Sequence, residues 1–261
     1  GTRAWLHCSS VGRSVDFHFQ WGVAIMRKAM CIVVGAALLS VAPVLAQKSP
    51  DVCEVTFWSA KPGAAAAWAE GRKRHMEFHK QQKDTFTWYA WEVINGDRAG
   101  GFLTGTFDHY WKDFDGREAF DALDAADLAK TSGPATAASS DGFWIHLGKA
   151  SRLKPGATAP AKYLQLTHYY VRPENTPRFE DALEAIAAEL TKLDWPVYSN
   201  WYRLASGGDG PHYVLSIGRD GYADFAPPEK TMSVALTESM GARQATELLG
   251  DLRGSTERLY S

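Results

Sequence analysis

The sequence predicts an α+β fold in which one β-α-β-β-α-β unit is written twice. Three observations predict it. The 261 residues are 45% hydrophobic, 22% charged and 12% aromatic, an ordinary globular composition with chain enough for a sizeable core. Segments about 111 residues apart repeat their aromatic and acidic positions. Strand-like and helix-like patterns alternate in the same order in both copies. The charge balance, 28 basic against 30 acidic residues, excludes a broad electrostatic surface for nucleic acid.

The repeat is read residue by residue. Thr56, Phe57, Trp58, Lys61 and Pro62 fall on Thr167, His168, Tyr169, Arg172 and Pro173. Trp68 falls on Phe179 and Glu70 on Asp181. With a one-residue change of register at a loop, Asp84, Trp88 and Trp91 meet Asp194, Tyr198 and Trp201. Phe102 meets Tyr213, and Trp111, Asp113 and Phe114 meet Tyr222, Asp224 and Phe225. Matches in this order at one spacing mark a duplication.

Each element has a local reason. Residues 53–59 alternate and are rich in Val, Thr, Phe and Trp, hence a strand. Residues 64–83 are strong helix formers. Residues 85–94 and 100–109 are strands joined through Asn95-Gly96-Asp97, a hairpin signal. Residues 111–130 read as a second helix, 131–140 as a loop of small residues, and 142–147 as a fourth strand. The second copy has strands at 163–171, 197–205 and 213–217, and helices at 177–193 and 229–252. Its fourth strand must begin near Ser255. This order is the ferredoxin-like split motif, over residues 52–149 and 162–261, with 150–161 as the linker.

A four-stranded sheet with helices on one face leaves the other face bare. Two such sheets in one chain can cover it by packing bare face to bare face or by joining edges into a barrel. With that pairing, and with the Trp111-Lys112-Asp113-Phe114 and Tyr222-Ala223-Asp224-Phe225 segments, residues 52–261 resemble the dimeric α/β-barrel superfamily. This is the group of antibiotic-biosynthesis-monooxygenase-like and NIPSNAP-like domains, here as a fused pseudo-dimer. The resemblance implies a cleft for small molecules, with cofactor-free and haem-dependent oxygenases among its relatives. It does not by itself assign an activity.

The first residues read as a leader. Met26-Arg27-Lys28 precedes an apolar run ending Val44-Leu45-Ala46, the pattern of a signal segment over 26–46, cut before Gln47. A membrane anchor is the rival reading. Residues 1–25 lie upstream of that start and read as an extension. The protein is expected to be exported, to a periplasm or outside the cell, and to meet a membrane only through the leader. Of Cys8, Cys31 and Cys53, only Cys53 would survive the cut, which excludes an internal disulfide or a cysteine-based zinc site.

Candidate site residues are few. His168 shares a strand face with Leu166 and Tyr170. It is either a core histidine or a polar group, even an axial haem ligand, in a cleft. His109 ends a strand just before a helix, where sites are common. Trp91, Trp201 and Tyr198 are candidate cleft walls. His75 and His79, at i and i+4 on the first helix, can share a divalent metal, though a charged helix face explains them as well. Their counterparts in the second copy are Ile186 and Leu190. Asp121, Asp124 and Asp127 read as a solvated helix face. Dinucleotide, phosphate-loop and nucleophile-elbow motifs are missing. The expected function is therefore binding of a small apolar or aromatic molecule in an aromatic cleft, and a homodimer is compatible with the free strand edges. A monooxygenase-like enzyme, cofactor-free or haem-dependent, is the alternative.

Overall fold

The computed structural model describes residues 49–261; the expected extension and signal segment lie outside them. Four strands and two helices form the first half: β1 (Val52–Ala60), α1 (Ala65–Gln81), β2 (Trp88–Glu92), β3 (Phe102–His109), α2 (Glu118–Leu128) and β4 (Thr136–His146). The second half contributes β5 (Tyr163–Val171), α3 (Thr176–Lys192), β6 (Asn200–Ser206), β7 (His212–Arg219), α4 (Met232–Met240), α5 (Ala242–Ser255) and β8 (Thr256–Tyr260). All eight strands make one antiparallel sheet in the order β2-β3-β1-β4-β6-β7-β5-β8. Each half thus has the same internal strand order, the ferredoxin-like one. The halves join where β4 pairs with β6 through residues 143–146.

The sheet is open, and the closed barrel expected from the sequence is not seen: β2 and β8 are its two edges and share no ladder. The edges nevertheless approach. A methyl group built on Gly96, in the β2–β3 turn, would lie 3.6 Å from the carbonyl oxygen of Ser261. The Trp91 indole also donates to the Ala161 carbonyl at 3.1 Å.

Alternation along each strand divides the sheet into two faces. One is covered by helices. Trp68 of α1 is buried and stacks on Phe102 at 4.0 Å, beside Trp58. In the second half Phe179 of α3 packs against Trp201 and Tyr213. A further apolar cluster joins Ile186 and Leu190 of α3 to Leu236 of α4 and Leu249 of α5. Burial of such side chains stabilises by about 1.5–3 kcal/mol each. Gly71 lets α1 approach the chain at Thr131, because a Cβ there would sit 2.5 Å from the Thr131 carbonyl oxygen.

Matched positions do matched work. α1 and α3 both end at a left-handed residue, Lys83 (φ 56) and Asp194 (φ 46). In each case the next N–H returns to a carbonyl of the last turn, Asp84 to His79 and Trp195 to Leu190. The repeated Asp-Phe segments form short 3-10 turns rather than the first turns of long helices. Asp113 accepts the Tyr110 N–H and Asp224 accepts the N–H groups of Asp220 and Gly221.

Other boundaries differ from expectation for local reasons. Gly116 (φ 74) separates the first 3-10 turn from α2, and Gly241 (φ 87) splits the expected helix at 229–252 into α4 and α5. β4 starts at Thr136, inside the expected loop of small residues, because its full length pairs with β1. The last strand is present but only five residues long.

Candidate functional site

The face of the sheet without helices encloses a cavity of about 1470 Å³. Alternate residues of β1, β3, β4, β5, β6 and β7 point into it, and linker residues 153–162 form another wall. Typical small-molecule pockets measure roughly 300–1,000 Å³, so the space exceeds that of a single small ligand. Its apolar wall includes Phe57, Tyr89, Phe107, Trp144, Tyr170 and Tyr202. Rings are packed along it: Phe107 stands 6.3 Å from Tyr202, and Trp144 lies edge-on to His212 at 5.0 Å.

A small polar group sits at the β5 end of the cavity. His168 Nδ1 and His212 Nε2 are 2.9 Å apart. The His212 ring stacks on Tyr170 at 4.2 Å and the His168 ring on Tyr260 of β8 at 4.7 Å. Arg258 lies over the far Tyr170 ring at 3.9 Å. Burial, with Arg98 nearby, holds His168 down to about 4. Burial, then the charges of His168, Arg98 and Arg258, does the same to His212. Both rings are therefore neutral near pH 7. A neutral pair sharing one proton between Nδ1 and Nε2 leaves both a donor and an acceptor for a bound molecule. Deeper in the wall, burial pushes the Cys53 thiol up to about 12, which makes it a packing residue and a poor nucleophile.

The expected site residues are dispersed. His168 lines the cavity, and so does Tyr198, whose ring carries Arg152 at 5.4 Å. Trp91 sits at the rim, fastening β2 to the linker through Ala161. Trp201 faces the other way, into the core beneath α3. His109 is also on the helix side: its Nε2 is 2.6 Å from Thr106 Oγ1, Phe86 covers its ring, and burial lowers its pKa. His212 and Arg98 were not singled out in the sequence. Only the register that sets Tyr170 opposite His212 brings that histidine beside His168.

His75 and His79 are buried under α2, on the helix-covered side of the sheet. Their Nε2 atoms lie 3.1 Å apart. Asp124 Oδ1 is 3.1 Å from the first and 3.0 Å from the second. The expectation of a solvated face at Asp124 and Asp127 is corrected here, because α2 turns both carboxylates toward α1. Periodicity alone shows which residues share a face, and not what that face meets.

No family model matches the chain, and no curated protein matches it. Its structure is similar to several solved ones. A provisionally assigned monooxygenase from Lactobacillus acidophilus is 6% identical, with a TM-score of 0.49 over 80% of this chain and 90% of that one. An anthrone oxidase-like protein is 16% identical, with a TM-score of 0.48 over 83% and 91%. Chlorite dismutase from Candidatus Nitrospira defluvii is 8% identical, with a TM-score of 0.46 over 82% and 88%. At these identities the likeness concerns the path of the chain and is silent on chemistry.

Proposed function

We propose that this chain is an exported small-molecule-binding protein whose ligand is flat, largely aromatic and carries one hydrogen-bonding oxygen. The observation that carries the reading is the 1470 Å³ cavity with its aromatic wall and its neutral His168–His212 pair. A flat apolar molecule gains by burial against Trp144, Tyr202 and Phe107. The histidine pair orients its oxygen, and Arg98, over the Phe57 ring at 4.6 Å, favours an electron-rich one. The reading includes a duplicated origin of the two halves, a barrel that tightens as the β2 and β8 edges meet, and export directed by residues 26–46. A homodimer belongs to it as well.

A monooxygenase-like enzyme is a second reading, and His168 favours its haem-dependent form. His168 Nδ1 is engaged by His212 while its Nε2 has no hydrogen-bond partner among the described residues. A neutral imidazole with one nitrogen held and the other free is a donor that could hold a haem iron. Haem would supply oxygen or peroxide chemistry. The protein's part would be to fix the His168 tautomer through His212 and to exclude water with the aromatic wall.

The test is a thermal-shift screen of the full chain against two- and three-ring phenols and quinones, with saturated fatty acids of similar mass as controls. A ligand at 100 times its Kd adds about 2.7 kcal/mol, or about 5–10 °C for a domain of this size. The Leu166→Trp variant, which crowds the cavity wall beside His168, should reduce the shift. Equal shifts from fatty acids, or shifts unchanged in Leu166→Trp, would refute the reading. A Soret band in the purified protein, lost in His168→Phe, would instead select the haem enzyme.

A further inference from the structure

The first half lacks the apolar cluster that fastens α3 to α4 and α5 in the second. Where the second half has Ile186 and Leu190, α1 has His75 and His79. No residue of α2 is fully buried, so little apolar area holds that helix down. Beside the contact of Phe78 with Phe120 at 6.1 Å, what joins α1 to α2 is polar. Three potential ligand atoms, His75 Nε2, His79 Nε2 and Asp124 Oδ1, form a nearly equilateral triangle with edges of 3.1, 3.1 and 3.0 Å. Asp124 Oδ1 is buried and makes no properly directed hydrogen bond to either ring.

The atoms behind the triangle orient it. His75 Nδ1 is 2.8 Å from Asp127 Oδ2, and His79 Nδ1 is 2.8 Å from Asp84 Oδ2. Asp84 is in turn held by the Arg117 guanidinium, the Trp88 indole and the Phe86 N–H. A carboxylate on Nδ1 fixes that nitrogen as the proton carrier and leaves Nε2 its lone pair, the arrangement of metal-binding histidines. Two such lone pairs facing each other at 3.1 Å repel unless something positive lies between them. A single proton would let one Nε2 donate to the other but would leave Asp124 Oδ1, which faces both, without a partner; two protons would set two N–H groups against one another. A divalent cation also offsets Asp84, Asp124 and Asp127, three carboxylates that Arg117 and the buried Arg72 balance only in part.

The triangle has the size a metal needs. Ligands about 2.1 Å from a metal and at right angles to one another are roughly 3.0 Å apart. Two imidazoles and a carboxylate select a first-row transition metal over Mg²⁺ or Ca²⁺. We propose that His75, His79 and Asp124 bind one divalent transition-metal ion that fastens α2 to α1. Asp127 and Asp84 are positioning residues, acting on the metal through the two imidazoles. Glu54 of β1, a carboxyl with no hydrogen-bond partner among the described residues, faces the same compartment near Asp121 and Asp124 and is within the group's electrostatic reach.

The test uses the full chain stripped with EDTA and titrated calorimetrically with Zn²⁺, Co²⁺ and Ni²⁺, with Mg²⁺ as control. One ion per chain is expected for the transition metals and none for Mg²⁺. Asp124→Asn, nearly isosteric, should weaken binding at least 100-fold, and Asp127→Asn about 10–100-fold. The double variant His75→Ile/His79→Leu, which copies the second half, should bind none. Hydrogen exchange supplies the readout of fastening: metal should slow exchange over residues 118–128 and leave 242–255 unchanged. No binding by the stripped protein, unchanged binding in Asp124→Asn, or exchange in α2 indifferent to metal would each overturn the proposal.

Discussion

Acidification should weaken this fold above the range where its carboxylates titrate, because the cavity histidines resist protonation. Each of His168 and His212 is held at about 4 against an ordinary 6.5. A group whose folded pKa is depressed in this way binds fewer protons folded than unfolded. Stability therefore falls as pH drops from about 6.5 toward 4. Between pH 7 and 4.5 each histidine accounts for about 2.4 kcal/mol, and screening by cavity water reduces this to roughly 1–2 kcal/mol. Glu54 works in the opposite sense. Burial first, then Asp121 and Asp141, raises it from 4.5 to about 6, so its burial grows less costly by about 1.5 kcal/mol over the same interval. His79, whose pKa the Asp124 and Asp84 carboxylates raise against burial, also opposes the cavity pair. The clean comparison is thus with His168→Phe, which places in β5 the residue that β1 has at Phe57. Urea titrations followed by tryptophan fluorescence at pH 7, 6, 5 and 4.5 should show wild type losing about 1–2 kcal/mol more than the variant. Parallel pH profiles for the two proteins would mean that the pair is solvated, and would refute the neutral, buried His168–His212 pair on which the binding reading rests.

Two further predictions concern the scaffold. Trp68→Ala removes a fully buried ring stacked on Phe102 and its 3.1 Å hydrogen bond to Thr136; a loss of about 3–5 kcal/mol is expected in chemical unfolding, with Trp68→Phe losing much less. Gly71→Ala and Gly250→Ala, both in helices, should differ in sign. The first drives a methyl into the Thr131 backbone and lowers Tm, while the second meets nothing within 4 Å and raises stability by about 0.5–1 kcal/mol.

Much of the architecture was legible because it is local or repeated. Strand and helix order followed from alternation and from strong helix formers. Matched residues such as Trp68 with Phe179, and Asp113 with Asp224, proved to hold matched places. The helix breaks at Gly116 and Gly241 were harder to read, since a glycine in a helical pattern is compatible with both continuation and a turn. Closure of the sheet depends on two edges far apart in sequence, and no local pattern sets their distance. The site was legible only in part. His168 faces the cavity as the alternation of β5 implies, whereas Trp201 lies on the opposite face and packs under α3. The His75–His79 spacing was visible, but Asp124, Asp127 and Asp84 reach it only through the packing of α2 and the turn after α1. Their roles are tertiary facts.

The most direct test of the central claim is calorimetric titration of the full chain with the strongest aromatic ligand from the thermal-shift screen. It should be run on wild type, Leu166→Trp and His75→Ile/His79→Leu. One site per chain in wild type, weaker binding in Leu166→Trp, and wild-type affinity in the double variant are expected, because the cavity and the α1–α2 cluster lie on opposite faces of the sheet. Binding unchanged by the crowded cavity wall, or lost only with the helix-side histidines, would contradict the account.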